Sequence, residues 1–283
     1  MSMEHNARKW GLPFRIGTTS YIIPDNLLPN AAFLAPYVQD MQLVLFEVPN
    51  GPSNLPSAQD VGKLGALGRM HDLTYTVHLL HDLRLHNEDG TSSLALEKAR
   101  QVIELTQPLE PQAWVCHLDG RSVREAEPDS AALAEWQTDT AAALQQVCAW
   151  AGDVRRVAVE NLEGYAPDFV APVVARTDAG RCVDVGHLWL DGIDPLPHLA
   201  AAGDRLSVVH LHGVTGADAA QASPSAAAPR DHVSLAHIAP GQLDAVLRSL
   251  LHLRFGGVLT LEVFGEEDFW SSLAAVEEAL ERL

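Results

Sequence analysis

Cysteine is scarce in this sequence, and its positions form no metal-binding or disulfide pattern. Cys116, Cys148 and Cys182 lie far apart among apolar residues. Disulfide-rich secreted domains carry several closely spaced cysteines, and many zinc sites carry C-x-x-C pairs. We therefore exclude both kinds of site and expect three buried thiols.

Basic residues are also few. The 19 lysines and arginines are outnumbered by 37 aspartates and glutamates, which leaves a net charge of -18. A protein that binds DNA or RNA needs a basic surface that displaces counterions from the phosphates. We expect a small-molecule substrate and no nucleic-acid partner.

Long apolar runs are absent as well. No segment reaches the roughly 18 uncharged apolar residues that a membrane span requires. The N-terminal residues, MSMEHNARKW, lack the apolar stretch of a signal peptide. These absences predict a cytoplasmic protein with no membrane partner.

What the sequence does contain is a regular alternation of β-rich and helical segments. Eight β-rich segments follow one another as RIGTTSY, QLVLFEV, LTYTVHL, AWVCHL, RRVAVENL, RCVDVGHL, LSVVHLHGV and GVLTLEVF. Helical apolar spacing occurs between or after them at Leu64–Met70, Leu94–Leu105, Ala131–Trp150, Leu243–Leu253 and Trp270–Leu283. This alternation predicts parallel strands that are joined by right-handed crossovers.

Eight such units predict a single (β/α)8 TIM barrel that spans residues 1–283, since barrels of this kind take about 250 residues. An open doubly wound sheet is the structural alternative, but it usually carries a glycine-rich phosphate turn after its first strand. Gly17-Thr18-Thr19-Ser20 is not such a turn. Residues 217–230 interrupt this alternation of strands and helices, because they are rich in Ala, Ser and Pro. It is predicted to be a loop over the barrel mouth, or an insertion without a role.

Side chains alternate between the two faces of a strand, so their parity shows which ones point into the barrel. In the third strand Thr76 and His78 share one face, whereas Tyr75 and Val77 share the apolar face that packs under helices. The same reasoning directs a polar group inward from six strands: His78, His117, Glu160, Asp184, His210 and Glu262.

A single inward histidine is more often a hydrogen-bonded core residue than a ligand. Several buried carboxylates and imidazoles together would cost roughly several kcal/mol each without a cation. We therefore predict one to three divalent ions, Zn²⁺, Mn²⁺ or Fe²⁺, held by His78, His117, Glu160, Asp184, His187, His210 and Glu262.

The ligands outnumber those that one ion requires, which favours a two- or three-metal site suited to water activation and phosphate-ester hydrolysis. If one ion were held, the surplus histidines would orient substrate or act as general acids. Weaker candidates, for substrate contacts near the mouth, are Glu47, His81, Asp82, Asn161 and His212.

At these residues the sequence resembles the xylose-isomerase-like barrel superfamily, which holds sugar isomerases and epimerases and the apurinic-site endonucleases. The motifs that carry the resemblance are Glu160-Asn161, the VDVGH box of Val183–His187, His210-Leu211-His212, Asp231-His232 and Glu262. The resemblance implies that Glu160, Asp184, His210 and Glu262 bind metal as in the isomerases. It also implies that further ligands of the endonuclease type are His78, His117, His187, Asp231 and His232.

One departure concerns the loop pair, because the endonucleases separate this Asp and His by one residue, whereas Asp231 and His232 are adjacent. Longer strings, among them GTTSYIIP, LFEVPNGPSNLPS, TYTVHLLHDLRL and LTLEVF, resemble the cobamide-remodelling phosphodiesterases of this superfamily. That resemblance implies hydrolysis of the nucleotide-loop phosphodiester of an adenosylated cobamide. The products would be adenosylcobinamide phosphate and the lower-ligand riboside.

Three hypotheses follow. The first is a phosphodiesterase in which the metals activate water, while Glu160, Glu262 and Asp231 or His232 complete the catalytic site. The second is a sugar isomerase or epimerase in which Glu160 and Glu262 move protons on opposite faces of the substrate. The third is a catalytically silent corrinoid-binding protein that retains the barrel and the cluster.

Overall fold

The computed structural model describes residues 11–48, 50–87, 93–216 and 229–283. Its central feature is a closed barrel of eight parallel strands, in the spatial order β1-β10-β7-β6-β5-β4-β3-β2. The strands are β1 (Arg15–Thr19), β2 (Asp40–Val44), β3 (Thr74–His78), β4 (Trp114–Cys116), β5 (Val157–Glu160), β6 (Gly180–Asp184), β7 (Leu206–Leu211) and β10 (Val258–Leu261). The predicted (β/α)8 barrel is thereby confirmed.

The helices surround this barrel. They are α1 (Leu27–Leu34), α2 (Ala58–His71), α3 (Leu94–Thr106), α4 (Ala131–Ala151), α5 (Ala171–Thr177), α6 (Val185–Leu190), α7 (Leu196–Ala202), α8 (Pro240–His252) and α9 (Glu266–Glu281). All five helical segments predicted from apolar spacing lie almost wholly within these helices. Of the described helices, none is both long and apolar enough to cross a membrane.

A short antiparallel hairpin, β8 (Gly213–Thr215) with β9 (Arg230–Val233), follows strand β7. It brackets the predicted mouth loop, of which residues 217–228 lie outside the described residues. The hairpin itself was not predicted, because HLHGV reads as one continuous strand.

Every barrel strand ends one to four residues before the end of the β-rich segment predicted for it, and in the two largest cases, β2 and β6, a side chain ends the strand. The Asp184 carboxylate accepts a 2.7 Å hydrogen bond from the His187 backbone N–H, which starts helix α6 directly after β6. Beyond β2, the Asn54 side chain accepts from the Phe46 N–H and donates to the Val44 carbonyl. The Asn54 side chain thus bonds to the backbone groups that a neighbouring strand would otherwise pair with, and strand β2 ends at Val44.

The barrel interior is divided into an apolar floor and a polar upper layer. The floor is a small separate cluster of Ala113, Val115, Ala158, Cys182 and Val208, all fully buried. The three cysteines are free and buried, as expected. Since inward residues alternate, each floor residue of β5, β6 and β7 is followed two positions later by Glu160, Asp184 or His210. The strands therefore aim these groups at the C-terminal end of the barrel.

Asp40 is a carboxylate inside the barrel that lies away from these groups. It is fully buried, and Gly17 on the adjacent strand leaves room for it, because a Cβ there would approach the Asp40 carbonyl to 2.8 Å. One oxygen accepts a 2.7 Å hydrogen bond from Thr74, whereas Oδ1 has no partner among the described residues. Burial raises the pKa of Asp40 to about 6, against the lowering effects of Thr74, Thr76 and Arg15.

We predict that Asp40→Asn stabilises the metal-free protein increasingly as the pH rises. A carboxyl whose pKa is raised on folding lowers stability as the pH rises from about 4 to 6, because the unfolded chain ionises first. With a pKa near 6 in the folded state, that cost is about 3 kcal/mol above pH 6. Urea unfolding of the original protein and of Asp40→Asn at pH 4.5 and pH 8 measures the difference in their free energies of unfolding. A stability difference that is independent of pH would contradict the prediction.

Candidate metal centre

Four candidate ligands converge at the C-terminal ends of adjacent barrel strands. Glu160 ends β5, Asp184 ends β6, His210 lies on β7 and Glu262 directly follows β10. One ligand atom from each lies within 4.8 Å of the others, and all four residues are buried. We call this set the carboxylate site. Its three carboxylates and one imidazole suit a divalent first-row ion.

A second set lies beside the first and shares one residue with it. His78, His117 and Glu160 also bring ligand atoms within 4.8 Å of one another, and we call this set the histidine site. Glu160 Oε1 lies 3.2 Å from His210 Nδ1 in the carboxylate site. Glu160 Oε2 lies 3.2 Å from His117 Nε2 and 3.5 Å from His78 Nε2. The carboxylate of Glu160 therefore faces both sites, one oxygen to each.

Each of five histidines has one ring nitrogen next to an acceptor outside the clusters. The acceptors are the Leu79 carbonyl for His78, Asp82 for His117, the Asn161 carbonyl for His187, Gln42 for His210 and the Glu262 carbonyl for His232, at 2.8–3.3 Å. A ring nitrogen that donates to such an acceptor carries a proton, so the other nitrogen is the one left to bind an ion. Histidines that bind metals are held in this way.

A third group contains His187, His212 and His232, whose ring nitrogens also lie within 4.8 Å of one another. The rings of His212 and His232 are 4.1 Å apart. His232 has a φ of 48°, a left-handed conformation that is uncommon for histidine and recurs at functional sites. Asp231 is not part of this group, although its Oδ2 lies 4.0 Å from His232 Nε2. His212, which was predicted to contact substrate, is part of it.

A buried oxygen supports the presence of a cation. Asp184 Oδ2 has no hydrogen-bond partner among the described residues, although Asp184 is fully buried. Leaving a buried polar atom unpaired costs roughly 1–3 kcal/mol. A divalent ion would satisfy this oxygen, so the residues present fit a metal centre.

The pKa values in the cluster also indicate that the site favours a positive charge. Burial alone would raise the pKa of Glu160, yet the His210 and His117 charges and hydrogen bonds hold it well below its usual range. Burial would lower the pKa of His117, but Glu160 and Asp82 raise it to about 10. In the same way Asp184 raises the pKa of His187 to about 9 against burial. The carboxylates therefore stay ionised and attract a cation or a proton.

A cavity of about 450 Å³ opens over the centre. Eight of the predicted site residues line it: His78, Asp82, His117, Glu160, His187, Asp231, His232 and Glu262. Asp184 and His210 lie fully buried beside them. Ten residues predicted for the site therefore lie together in the fold, and their roles stay predictions.

Four predicted substrate contacts lie elsewhere. Glu47 forms a 2.5 Å ion pair with Lys98 on helix α3, and the exposed His81 does not line the cavity. Asn161 is buried and bonds to both the N–H and the carbonyl of Asp184, which ties β5 to β6. His212 is fully buried behind the cavity wall. An ion pair engages Glu47, backbone pairing engages Asn161 and burial encloses His212, whereas His81 is exposed outside the cavity lining.

Sequence reasoning missed several residues of the site. Gln42 lies inside the barrel and contacts His210 and Glu262. Glu163, Arg124 and Tyr165 line the cavity from the loops after β4 and β5. Gln42 lies on the same inward face of its strand as Val44, so the alternation of side chains could have indicated it. The predicted second strand, however, contains no charged inward residue that marks it as part of a site. The loop residues carry no periodic signal.

The comparisons with known proteins agree with this architecture. A family model described as a xylose isomerase-like TIM barrel matches residues 38–283. The chain therefore belongs to the xylose isomerase-like TIM-barrel family. No curated protein matches it.

Solved structures show the same fold at low sequence identity. A D-tagatose 3-epimerase-like protein superposes with a TM-score of 0.72 at 17% identity, over 95% of this chain and 98% of the other. The 3-keto-D-glucoside 4-epimerase YcjR from E. coli gives 0.67 at 14% identity, over 95% and 100%. Endonuclease IV from Thermus thermophilus gives 0.61 at 20% identity, over 95% and 100%. The fold is thus shared by sugar epimerases and an endonuclease.

We predict that Gly186→Ala damages the third group of histidines selectively. A Cβ at Gly186 would lie 2.1–2.3 Å from three atoms of the His212 ring, so the ring must move. We expect an overpacking cost of about 1–3 kcal/mol. Because His212 Nε2 lies 3.3 Å from Asp184 Oδ1, we also expect weaker metal binding at the carboxylate site when metal content is measured after gel filtration. Gly62→Ala is the control, because nothing lies within 4 Å of its added Cβ. Unchanged metal content and stability in Gly186→Ala would contradict this role for Gly186.

Proposed function

We propose that this protein is a metal-dependent phosphodiesterase. The observation that carries the proposal is the position of Glu160, whose two oxygens face the carboxylate site and the histidine site separately. A carboxylate shared between two ligand sets is typical of centres that hold two ions. Such ions supply a nucleophile at neutral pH and neutralise charge on phosphoryl oxygens.

The protein's own residues would bind and orient the ester in the cavity. Arg124 is the only arginine or lysine among the described residues that line it, and its guanidinium lies 5.6 Å from the Tyr165 ring centroid. This cation is suited to a phosphate oxygen or to the leaving group. On another side, His232 donates from Nδ1 to the Glu262 carbonyl, so its Nε2 faces the cavity beside Asp231. These two residues are placed to hold the proton that the leaving group takes.

For the substrate, we propose the phosphodiester of the nucleotide loop of an adenosylated cobamide. The support is the sequence resemblance to the cobamide-remodelling phosphodiesterases, together with the cavity of about 450 Å³ over the metal centre and a net charge of -18 that disfavours nucleic acid. The products would be adenosylcobinamide phosphate and the lower-ligand riboside. Zn²⁺, Mn²⁺ and Fe²⁺ all suit the ligands.

A sugar isomerase or epimerase is the second candidate. It is favoured by the carboxylate site, which is complete for one ion without the histidine site. In that reaction Glu160 and Glu262 would have to move protons. Glu262 Oε1, however, accepts a hydrogen bond from Gln42, and Oε2 lies 3.0 Å from His210 Nδ1. His210 lowers the pKa of Glu262 against burial, so this carboxylate stays ionised and is better suited to hold an ion than to give up a proton. A silent corrinoid-binding protein would not need the histidine site at all.

We expect the purified protein, reconstituted separately with Zn²⁺, Mn²⁺ or Fe²⁺, to release adenosylcobinamide phosphate from an adenosylated cobamide. Mass spectrometry of the products measures this reaction. Cobamide that stays intact with every metal would refute the proposed substrate. Epimerisation of a ketose by the same preparations would favour the second candidate.

His117→Ala distinguishes one ion from two. His117 belongs only to the histidine site, so the variant should lose at least about 100-fold in hydrolysis because one of two cooperating ions is lost. His252→Ala, an exposed position at the end of helix α8, is the matched control. A variant that binds metal less well yet hydrolyses at the original rate would show that the histidine site does not serve the reaction.

A further inference from the structure

Gln42 is a buried side chain that makes contacts with two candidate ligands and has no other hydrogen bonds among the described residues. It lies on strand β2, which contributes no ligand, and its exposed fraction is zero. Its Nε2 donates a 3.0 Å hydrogen bond to Glu262 Oε1. Its Oε1 lies 2.8 Å from His210 Nε2 and accepts from it.

These two hydrogen bonds decide which atoms of the ligands face the ion. A glutamine oxygen can only accept, so His210 keeps a proton on Nε2, and Nδ1 is the nitrogen that can give up its proton to bind an ion at the carboxylate site. A glutamine amide nitrogen can only donate, so Glu262 Oε1 is held in its acceptor form and Oε2 is left to bind an ion. Glu262 Oε2 and Glu160 Oε1 lie 3.0 and 3.2 Å from His210 Nδ1, so the three atoms converge at one place.

The barrel leaves a path for Gln42 to reach across to Glu262. Strand β1 lies between β2 and β10, and Thr19 is the residue of β1 that pairs with Gln42. Thr19 is short, and its hydroxyl is turned away to donate to the Val263 carbonyl at 2.6 Å. The Gln42 amide can therefore pass this position and meet Glu262.

We propose that Gln42 is a positioning residue of the carboxylate site, one that fixes the tautomer of His210 and the rotamer of Glu262 at the same time. Both of its side-chain hydrogen bonds go to that site, and neither goes to the histidine site. Its effect should therefore fall on one ion and spare the other. The inference rests on the metal centre and not on the identity of the substrate.

The test measures Co²⁺ binding to the metal-free full-length protein by absorption spectroscopy and by metal content after gel filtration. Gln42→Met is close to glutamine in size but makes neither hydrogen bond. We expect it to weaken one Co²⁺ site by about 10–100-fold, as is usual when the partner of a metal ligand is lost. The visible d–d spectrum of that ion should change, and the second equivalent should bind as in the original protein.

Gln39→Met is the matched control, because the Gln39 side chain accepts a 3.4 Å hydrogen bond from the Ile16 N–H near the other end of β2, away from the ligands. It should bind Co²⁺ like the original protein. Gln42→Glu keeps the acceptor for His210 and turns the Glu262 contact repulsive, so its Co²⁺ spectrum should also change. This second variant keeps the test decisive if Gln42→Met does not fold.

A merely structural role would lower the thermal stability of the metal-free variants and leave the Co²⁺ spectrum and affinity unchanged in those that fold. That result would overturn the proposal. Because the readout is metal binding, a protein that fails to hydrolyse cobamides can still confirm the role of Gln42, and an active hydrolase can still refute it.

Discussion

The centre of this protein depends on the burial of three carboxylates within ligand distance of one imidazole. Glu160, Asp184 and Glu262 are all at most 5% exposed, and mutual repulsion together with desolvation would oppose their ionised forms. The structure counters this with imidazoles on neighbouring strands, and it leaves Asp184 Oδ2 without a hydrogen bond from the described residues. A cation at the C-terminal end of the barrel would remove the conflict. The other features of the site are arranged around that requirement.

The arrangement extends beyond the ligands to the groups that hold them. Five histidines are oriented by acceptors on five different parts of the chain, two of them side chains, Asp82 and Gln42, and three of them carbonyls. Backbone carbonyls hold a ring without adding a charge, whereas Asp82 adds one and raises the pKa of His117. At the histidine site an additional negative charge therefore comes from Asp82, which lies beside the ligands. At the carboxylate site the negative charge comes from the ligands themselves, three of which are carboxylates.

The fold is shared by enzymes of different chemistry, so the fold alone does not select a reaction. The two leading candidate functions, phosphodiesterase and epimerase, differ in what they require of Glu160 and Glu262. An epimerase needs carboxylates that can exchange protons with the substrate, and here Glu160 contacts histidines through both oxygens while Glu262 is held by Gln42 and His210. These contacts favour carboxylates that stay ionised as ligands, which is the role that a hydrolytic metal centre requires.

Much of this could be predicted from the sequence because it depends on local, periodic patterns. Alternation of strands and helices predicted the barrel, and parity along strands predicted the inward groups, since a side chain on a strand has only two faces. The strand ends at Val44 and Asp184 were missed because Asn54 and the Asp184 side chain bond to the backbone in ways that depend on the folded loops. The partners of Glu47 and Asn161 could not be predicted for the same reason, since Lys98 and the Asp184 backbone meet them only in the folded structure.

The sequence by itself determined the barrel and the kinds of side chain at its mouth, because strand periodicity acts over a few residues. Only the tertiary structure decided how those side chains divide into sites. Glu160 faces two ligand sets, His212 joins His187 and His232, and Gln42 reaches Glu262 across β1. Such pairings join residues as much as 220 positions apart. They depend on the closure of the barrel, which brings β10 beside β1 and which no local pattern encodes.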